Sequence, residues 1–428
     1  MRILLIGAGG VGDAVAKIAA KRSFYEHFIV SDYDQGRADK TIAWIEDRYG
    51  AEVASRFSSL KIDASNAASM AQLIKENNVD YVINAVEPKF VPTIFSACFT
   101  AKVNYLDMAL SLSEPHEHDP FHKTGIKLGD SQYALNEQWQ RAGKLALIGI
   151  GVEPGLSNIF AKYAADNLFG EIDEVSVKDG GNLVVKNEKG EEIFAPSFSI
   201  WTTIEECLNP PTLFEKKKGW FTTEPFSEPE VFEFPDGIGA VECVNVEHEE
   251  ISMLPRTMKV GRVTFKYGLG SDFIGVLKTL HKLGLDATKP VRVRSSQGPV
   301  EVAPRDVVVS VLPDPATIGS RMTGKTCAGV LVTGKSKDGT PRATYIYHVA
   351  DNSETMAAIE AQAVVAQTAF NPLIALELIS QGIWQGVGVM GPEEFDPKPF
   401  LDLMASSTGY QEKWVAQERL PASPLRLP

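Results

Sequence analysis

From residue 1 to about 110, short aliphatic runs alternate with stretches whose apolar residues recur every three or four positions. Residues 3–6 make the first run, and in residues 13–21 Val15, Ile18 and Ala19 share one helical face. Residues 27–34 read as a second strand, leading into a helix over 36–49 with Ile42 and Ile45 inward. A third strand over 59–63 precedes a helix over 65–78 capped by Ser65. A fourth over 79–88 precedes a helix over 91–102, and a fifth covers 103–109. A helix over 131–142 and a sixth strand over 144–151 follow, then a helix over 159–168. This alternation predicts right-handed crossovers and a doubly wound parallel sheet, an α/β fold of Rossmann type.

Beyond residue 170 the pattern changes. Longer strands are predicted near 175–179, 240–251, 261–269 and 290–294, separated by helices near 200–208 and 272–285. Residues 326–351 form a hairpin turning at Asp338 and Gly339. A long helix over 353–367 and a second over 371–384 lead to a Pro-rich tail. The later half is therefore a second α+β domain with a mixed, antiparallel-rich sheet.

The chemistry begins directly after the first strand. Gly7, Gly9 and Gly12 stand at G-x-G-x-x-G spacing between a strand and a helix, the dinucleotide-binding fingerprint. Gly7 suits the tight turn, Gly9 the approach of a pyrophosphate, and Gly12 the packing of helix on strand. Asp32 lies 20 residues past Gly12 at the end of the second strand, with Tyr33 beside it. A carboxylate there accepts ribose hydroxyls and repels a 2′-phosphate, which favours NAD, while Arg37 nearby keeps NADP open. Ligands of such sheets bind beyond the carboxyl ends of the strands. Asp63 and Ala64 are thus expected at the adenine, Asn84, Ala85 and Val86 at the nicotinamide ribose, and Asp107 and Met108 at the reacting centre. Asp63 and Asp107 could instead cap the helices that follow them. The turn at Pro154 and Gly155 leads into a helix N-terminus at Ser157 and Asn158, a place for a substrate carboxylate.

Composition narrows the class. A chain of 428 residues with 44% hydrophobic residues can bury two or three cores. A net charge of −13 argues against nucleic acid or an anionic membrane as partner. No apolar run reaches the roughly 18 residues of a membrane span, and the opening strand leaves no room for a signal peptide. Four scattered cysteines, Cys98, Cys207, Cys243 and Cys327, suit reduced thiols in the cytoplasm. His116, His118 and His122 imitate a metal set, but their Pro-rich, charged segment reads as a solvated loop, and no metal is expected.

Several stretches resemble the saccharopine dehydrogenase family: "ILLIGAGGVG" at the start, "RAGKLALIGIGVEPGLSNIFAKYA" from Arg141, and "ALELISQGIWQGVGVMGPEEF" from Ala375. "KDGGNL" from Lys178 and "FSIWTTIEECLNPP" from Phe198, with Trp201, are similar to that family's Gly-Gly strand end and Ser-Trp helix. The resemblance implies a dinucleotide-binding domain over 1–130, with residues 353–428 packing back on it. It also implies a substrate-binding and dimerisation domain over 131–352, and a homodimer. Its cofactor contacts fall on Gly7, Gly9, Gly10, Val11, Gly12, Asp32, Asn84 and Ala85. Glu153 stands where the family often has Asp.

The implied reaction is hydride transfer at a CH–NH bond of an amino acid or opine, with saccharopine the first candidate. Lysine 6-dehydrogenase and carboxynorspermidine- or homospermidine-synthase chemistry are alternatives within the family. Outside it stand a methyltransferase and a non-catalytic dinucleotide sensor. A substrate with several carboxylates calls for cations, and Arg256, Lys266 and the amides from Gly155 to Asn158 are the candidates. His248, Asp107 and Glu153 are the candidate proton-handling groups. A polyamine pocket calls instead for carboxylates, and Glu205, Glu206, Glu247, Glu249 and Glu250 supply that reading.

Overall fold

The computed structural model describes residues 1–195, 199–296, 298–313 and 315–419 of the chain. Phe198, which opens one of the family-like stretches, and residues 420–428 of the tail lie outside them.

The first sheet has seven strands, in the order Gly388–Met390, Leu145–Leu147, Asn104–Asp107, Tyr81–Asn84, Arg2–Ile6, His27–Asp32 and Phe57–Lys61. Every neighbouring pair is parallel. Buried on both faces, these strands need continuous apolar runs, and Ile3, Leu4, Leu5 and Ile6 are at most 1% exposed. The strand order reverses beside Arg2–Ile6, where Ile6 pairs with both Ser31 and Asn84. That switch point opens a crevice beyond the strand ends.

The second sheet is mixed, with nine strands. Its long central strand Phe169–Gly181 runs parallel to Val260–Gly268 and antiparallel to Lys325–Ser336. The hairpin Lys325–Ser336 and Pro341–Asp351 turns over Asp338 and Gly339. Helix Leu156–Tyr163 packs on Lys325–Ser336 and Pro341–Asp351, and one apolar core runs through both sheets, including Leu5, Leu147, Val175 and Val330.

Several local expectations are corrected. The cap of the helix Ala67–Glu76 is Asn66, whose Oδ1 accepts the Ser69 amide at 3.0 Å, not Ser65. The helix over 131–142 is two pieces, Asp130–Tyr133 and Asn136–Ala142. The predicted helix over 353–367 is broken between Asn352–Ile359 and Ala363–Ser380, because Glu360 takes a left-handed φ of 55°. The strand read over 240–251 stops at Asn245, and Glu250–Thr257 is helical, so His248 lies in the connection.

The division at residue 130 also shifts. Leu145–Leu147 still pairs within the parallel sheet, and Gly388–Met390 returns to its edge. The chain's end divides its attachment: Ala363–Ser380 packs on the Gly10–Ala19 helix, whereas Trp414–Arg419 joins the second sheet beside Pro341–Asp351. Ala363–Ser380, at 18 residues, is long and apolar enough to cross a membrane, yet it is buried inside the protein as a core helix.

Candidate active site

The glycine turn is built for close approach. Gly7 has φ +102°, and a Cβ there would lie 2.6 Å from the Ala85 carbonyl oxygen. A Cβ on Gly12 would lie 1.8 Å from the Gly7 carbonyl oxygen, so the helix can sit on the turn only as glycine. Nothing lies within 4 Å of a Cβ on Gly9, which faces the open crevice where a pyrophosphate would rest. Asp32 braces the turn: its Oδ2 accepts the Ala8 amide at 2.8 Å and its Oδ1 the Asp34 amide at 2.9 Å. Tyr33 is 70% exposed, with the Lys61 ammonium 5.4 Å from its ring centre. These residues fit a nicotinamide dinucleotide.

Asp63 lies two residues past its strand, and its carboxylate holds the Ser65 amide and hydroxyl in the turn before the helix, whose cap is Asn66 and not Asp63. Asn84 is buried, donating to the Tyr105 hydroxyl at 2.9 Å. Asp107 is 1% exposed and accepts Tyr105 Oη, Gln132 Nε2 and the Gly149 amide at 2.9, 2.8 and 2.6 Å. Burial pushes its carboxyl up to about 7 despite those donors. Its three donors make it a clamp between adjacent strand ends, and it does not line the crevice.

A cavity of about 600 Å³ extends from Gly10 and Val11 past Asn84, Ala85 and Val86 to Met108, Glu153, Pro154 and Trp201. Glu206 and Glu249 line it as well, and Glu87 at its edge is ion-paired with Lys89. Among the described residues lining it there is no lysine, arginine or histidine. The expected substrate cations are engaged elsewhere. Lys266 donates to the Glu228 carbonyl at 2.6 Å and to Glu230 at 3.0 Å. Arg256 binds Asp130 at 2.5 Å and stacks on Tyr133 with 4.3 Å to the ring centre. The helix N-terminus after Gly155 is likewise spent internally. The Leu156 and Ser157 amides donate to Gly151 and Val152, and Asn158 Oδ1 accepts the Gly155 amide at 3.0 Å.

His248 forms the cationic centre of an acidic cluster. Its ring lies parallel to Phe265, with centres 3.7 Å apart, and its Nδ1 sits 2.6 Å from Glu250 Oε2 and 3.3 Å from Glu249 Oε2. Burial alone would depress the imidazole, but Glu250 and Glu249 raise it to about 10, so it is an imidazolium at neutral pH. Glu250 also accepts the Ser157 hydroxyl at 2.6 Å. Buried between Phe265 and these carboxylates, His248 is a counter-ion and not a residue of the strand predicted over 240–251. Burial pushes Glu206 up to about 8, and Glu249 is raised by the same cause. Burial, then Asp179 and Glu250, hold Glu153 well above the carboxylate range.

Two expected features of the polyamine reading lie outside this group. Glu205 is ion-paired with Arg305, and Glu247 accepts Asn209 Nδ2 at 2.9 Å. Asp179 was missed. The signal for it was an acid directly before Gly180 and Gly181 at the end of a long buried strand.

A glycine cradle at the switch point of a parallel sheet, opening into a cavity walled by helices and connections of the chain's later half, defines a two-domain enzyme that uses a nicotinamide dinucleotide. The chain belongs to the saccharopine dehydrogenase family: the family models for the saccharopine dehydrogenase NADP binding domain and C-terminal domain match residues 3–147 and 151–410. It is 31% identical to carboxynorspermidine synthase of Vibrio alginolyticus over 429 residues, covering 99% of each chain. Carboxyaminopropylagmatine dehydrogenase of Synechocystis is 27% identical over 405 residues, covering 94% of each. Among solved structures, apo saccharopine dehydrogenase (L-Glu forming) from Saccharomyces cerevisiae shares the fold. Its TM-score is 0.68 at 13% identity, covering 98% of this chain and 100% of that one.

Proposed function

We propose that the chain reduces the C=N bond formed between an amine of a diamine or polyamine and an aldehyde bearing a carboxyl group, giving a carboxylated polyamine. One observation carries this reading. The cavity beside the dinucleotide cradle presents Glu153, Glu206 and Glu249 and, among its described lining residues, no cation. Saccharopine, with three carboxylates, would find no cation there, whereas an ammonium group finds carboxyl partners. The names of the relatives point the same way.

The dinucleotide supplies hydride to the imine carbon when bound. The carboxylates orient the cationic amine, and the apolar wall at Met108, Pro154 and Trp201 excludes water from the imine. Glu206, held protonated by burial, ionises as an ammonium enters, so diamine affinity rises with pH up to about 8.

For the reductant, NADPH is favoured over the NAD that Asp32 suggests. Both Asp32 oxygens already accept backbone amides, and Lys61 and the exposed Arg37 stand near the same strand end. The description of the family's binding domain supports the same choice. A homodimer belongs to this reading, with light scattering as its check.

The deciding assay follows NADPH absorbance with 1,3-diaminopropane, putrescine or agmatine plus aspartate semialdehyde, the aldehyde that leaves a carboxyaminopropyl group on an amine. Saccharopine with NADP or NAD is the competing arm. Turnover of saccharopine with no diamine consumed would overturn the proposal.

A further inference from the structure

We propose that Glu153 and Asp179 hold one proton between them and that Glu153 delivers it to the imine nitrogen. The inference rests on the C=N reduction above and assigns its proton donor.

Glu153 stands on the turn after the sixth strand of the first sheet and lines the cavity that begins at Asn84, Ala85 and Val86. Asp179 comes from the end of Phe169–Gly181 in the second sheet. The two carboxyl groups adjoin, and Asp179 raises the hold of Glu153 on a proton, with the Gly329 and Gly180 amides beside them. Two adjoining carboxylates have no donor between them and repel, so one of the pair keeps a proton. Glu153 Oε1 is sealed from solvent and accepts from no donor, yet the residue as a whole is only half-buried and lines the cavity. A proton held there has one polar exit, toward the substrate.

The surroundings keep it in place at neutral pH. Burial is the main cause of the raised affinity of both groups, with Asp179 brought to about 7. Glu250 repels charge on both. The His248 imidazolium stabilises charge on Asp179, and Glu206 opposes it. Tyr267, Tyr345, Cys327 and Cys243 also face the pair, and burial holds every one of them neutral. Asp179 is a positioning residue: its like charge keeps Glu153 protonated, as in a carboxylate dyad.

The step balances. Hydride adds to the imine carbon, the C=N π pair moves to nitrogen, and nitrogen takes the Glu153 proton, leaving a secondary amine, the oxidised dinucleotide and an ionised pair. A proton from solvent restores the pair.

The test uses Glu153→Gln and Asp179→Asn in the full chain. With NADP bound and no substrate, infrared difference spectra across a pH titration should show a carboxylic-acid C=O band in the parent that both substitutions remove or move. A band unchanged in both variants overturns the shared proton. With whichever C=N substrate is consumed, Glu153→Gln should lower kcat by about 10²–10⁴-fold. NADPH affinity, read by fluorescence, should stay within about twofold, since an uncharged amide there leaves the glycine cradle intact. Asp179→Asn should move the alkaline limb of the kcat profile about one pH unit toward acid. A full kcat in Glu153→Gln, or an unmoved limb in Asp179→Asn, overturns the delivery step. Saccharopine as the only substrate would defeat the polyamine reading while these same measurements still judge the pair. If no C=N substrate reacts, delivery falls with that reading, and the spectra alone decide the shared proton.

Discussion

Replacing His248 with Gln removes the single positive charge inside the acidic cluster, and its cost follows from the geometry. The imidazolium contacts Glu250 at 2.6 Å and Glu249 at 3.3 Å, with both acids buried. Removing one partner of such a group costs about 3–5 kcal/mol, because the remaining charge is left uncompensated. The rise of the imidazole from 6.5 to about 10 corresponds to the same range, about 5 kcal/mol at most. The sign is fixed by the folded protein binding the proton more tightly than the unfolded chain. This stabilisation is complete below pH 6.5 and disappears as pH rises toward about 10. Lost stacking on Phe265 adds roughly 1 kcal/mol at every pH. The melting temperature of His248→Gln should therefore lie about 4–7 °C below the parent near pH 6. The gap should close to about 1 °C near pH 10. A gap that stays constant with pH, or widens toward alkali, would refute the imidazolium assignment.

Other substitutions test the remaining structure. Gly12→Ala drives a Cβ to 1.8 Å from backbone oxygen, so the helix must move and dinucleotide binding should be lost together with roughly 1–3 kcal/mol of stability. Gly9→Ala meets nothing within 4 Å and should keep the parent melting temperature while weakening dinucleotide binding, as read by fluorescence titration. Arg22 clamps Glu377 at 2.6 and 2.9 Å and the carbonyls of Thr408 and Gly409, so Arg22→Ala should destabilise by about 3–5 kcal/mol in thermal melts. Glu206→Gln should raise KM for the diamine about tenfold and flatten the dependence of its affinity on pH below about 8.

What the sequence disclosed was local. The glycine turn and the strand that ends at Asp32 lie within one strand–helix–strand unit, so spacing alone locates them. The strand end at Asn84 followed from the alternation. Lys266 and Arg256 could not be judged that way, because their partners Glu230 and Asp130 come from 36 and 126 residues away. His248 misled for a different reason. The strand's alternation ends at Val246, and four charged residues in a row, Glu247 to Glu250, are all buried instead of facing opposite sides. The cluster at the cavity gathers acids from positions 153, 179, 206, 249 and 250, which only tertiary packing brings together. Among these, Asp179 lay inside the Gly-Gly strand-end motif, yet nothing in that motif paired it with Glu153.

Because Gly388–Met390 closes one margin of the parallel sheet while Trp414–Arg419 closes a margin of the mixed one, the last stretch of polypeptide acts as a stitch through both halves. A nucleotide-binding fragment cut at residue 147 would bare a row of backbone donors and acceptors and the apolar seat of Ala363–Ser380. Ribosomal synthesis must therefore pass Ser380 before the opening glycine turn acquires its permanent support.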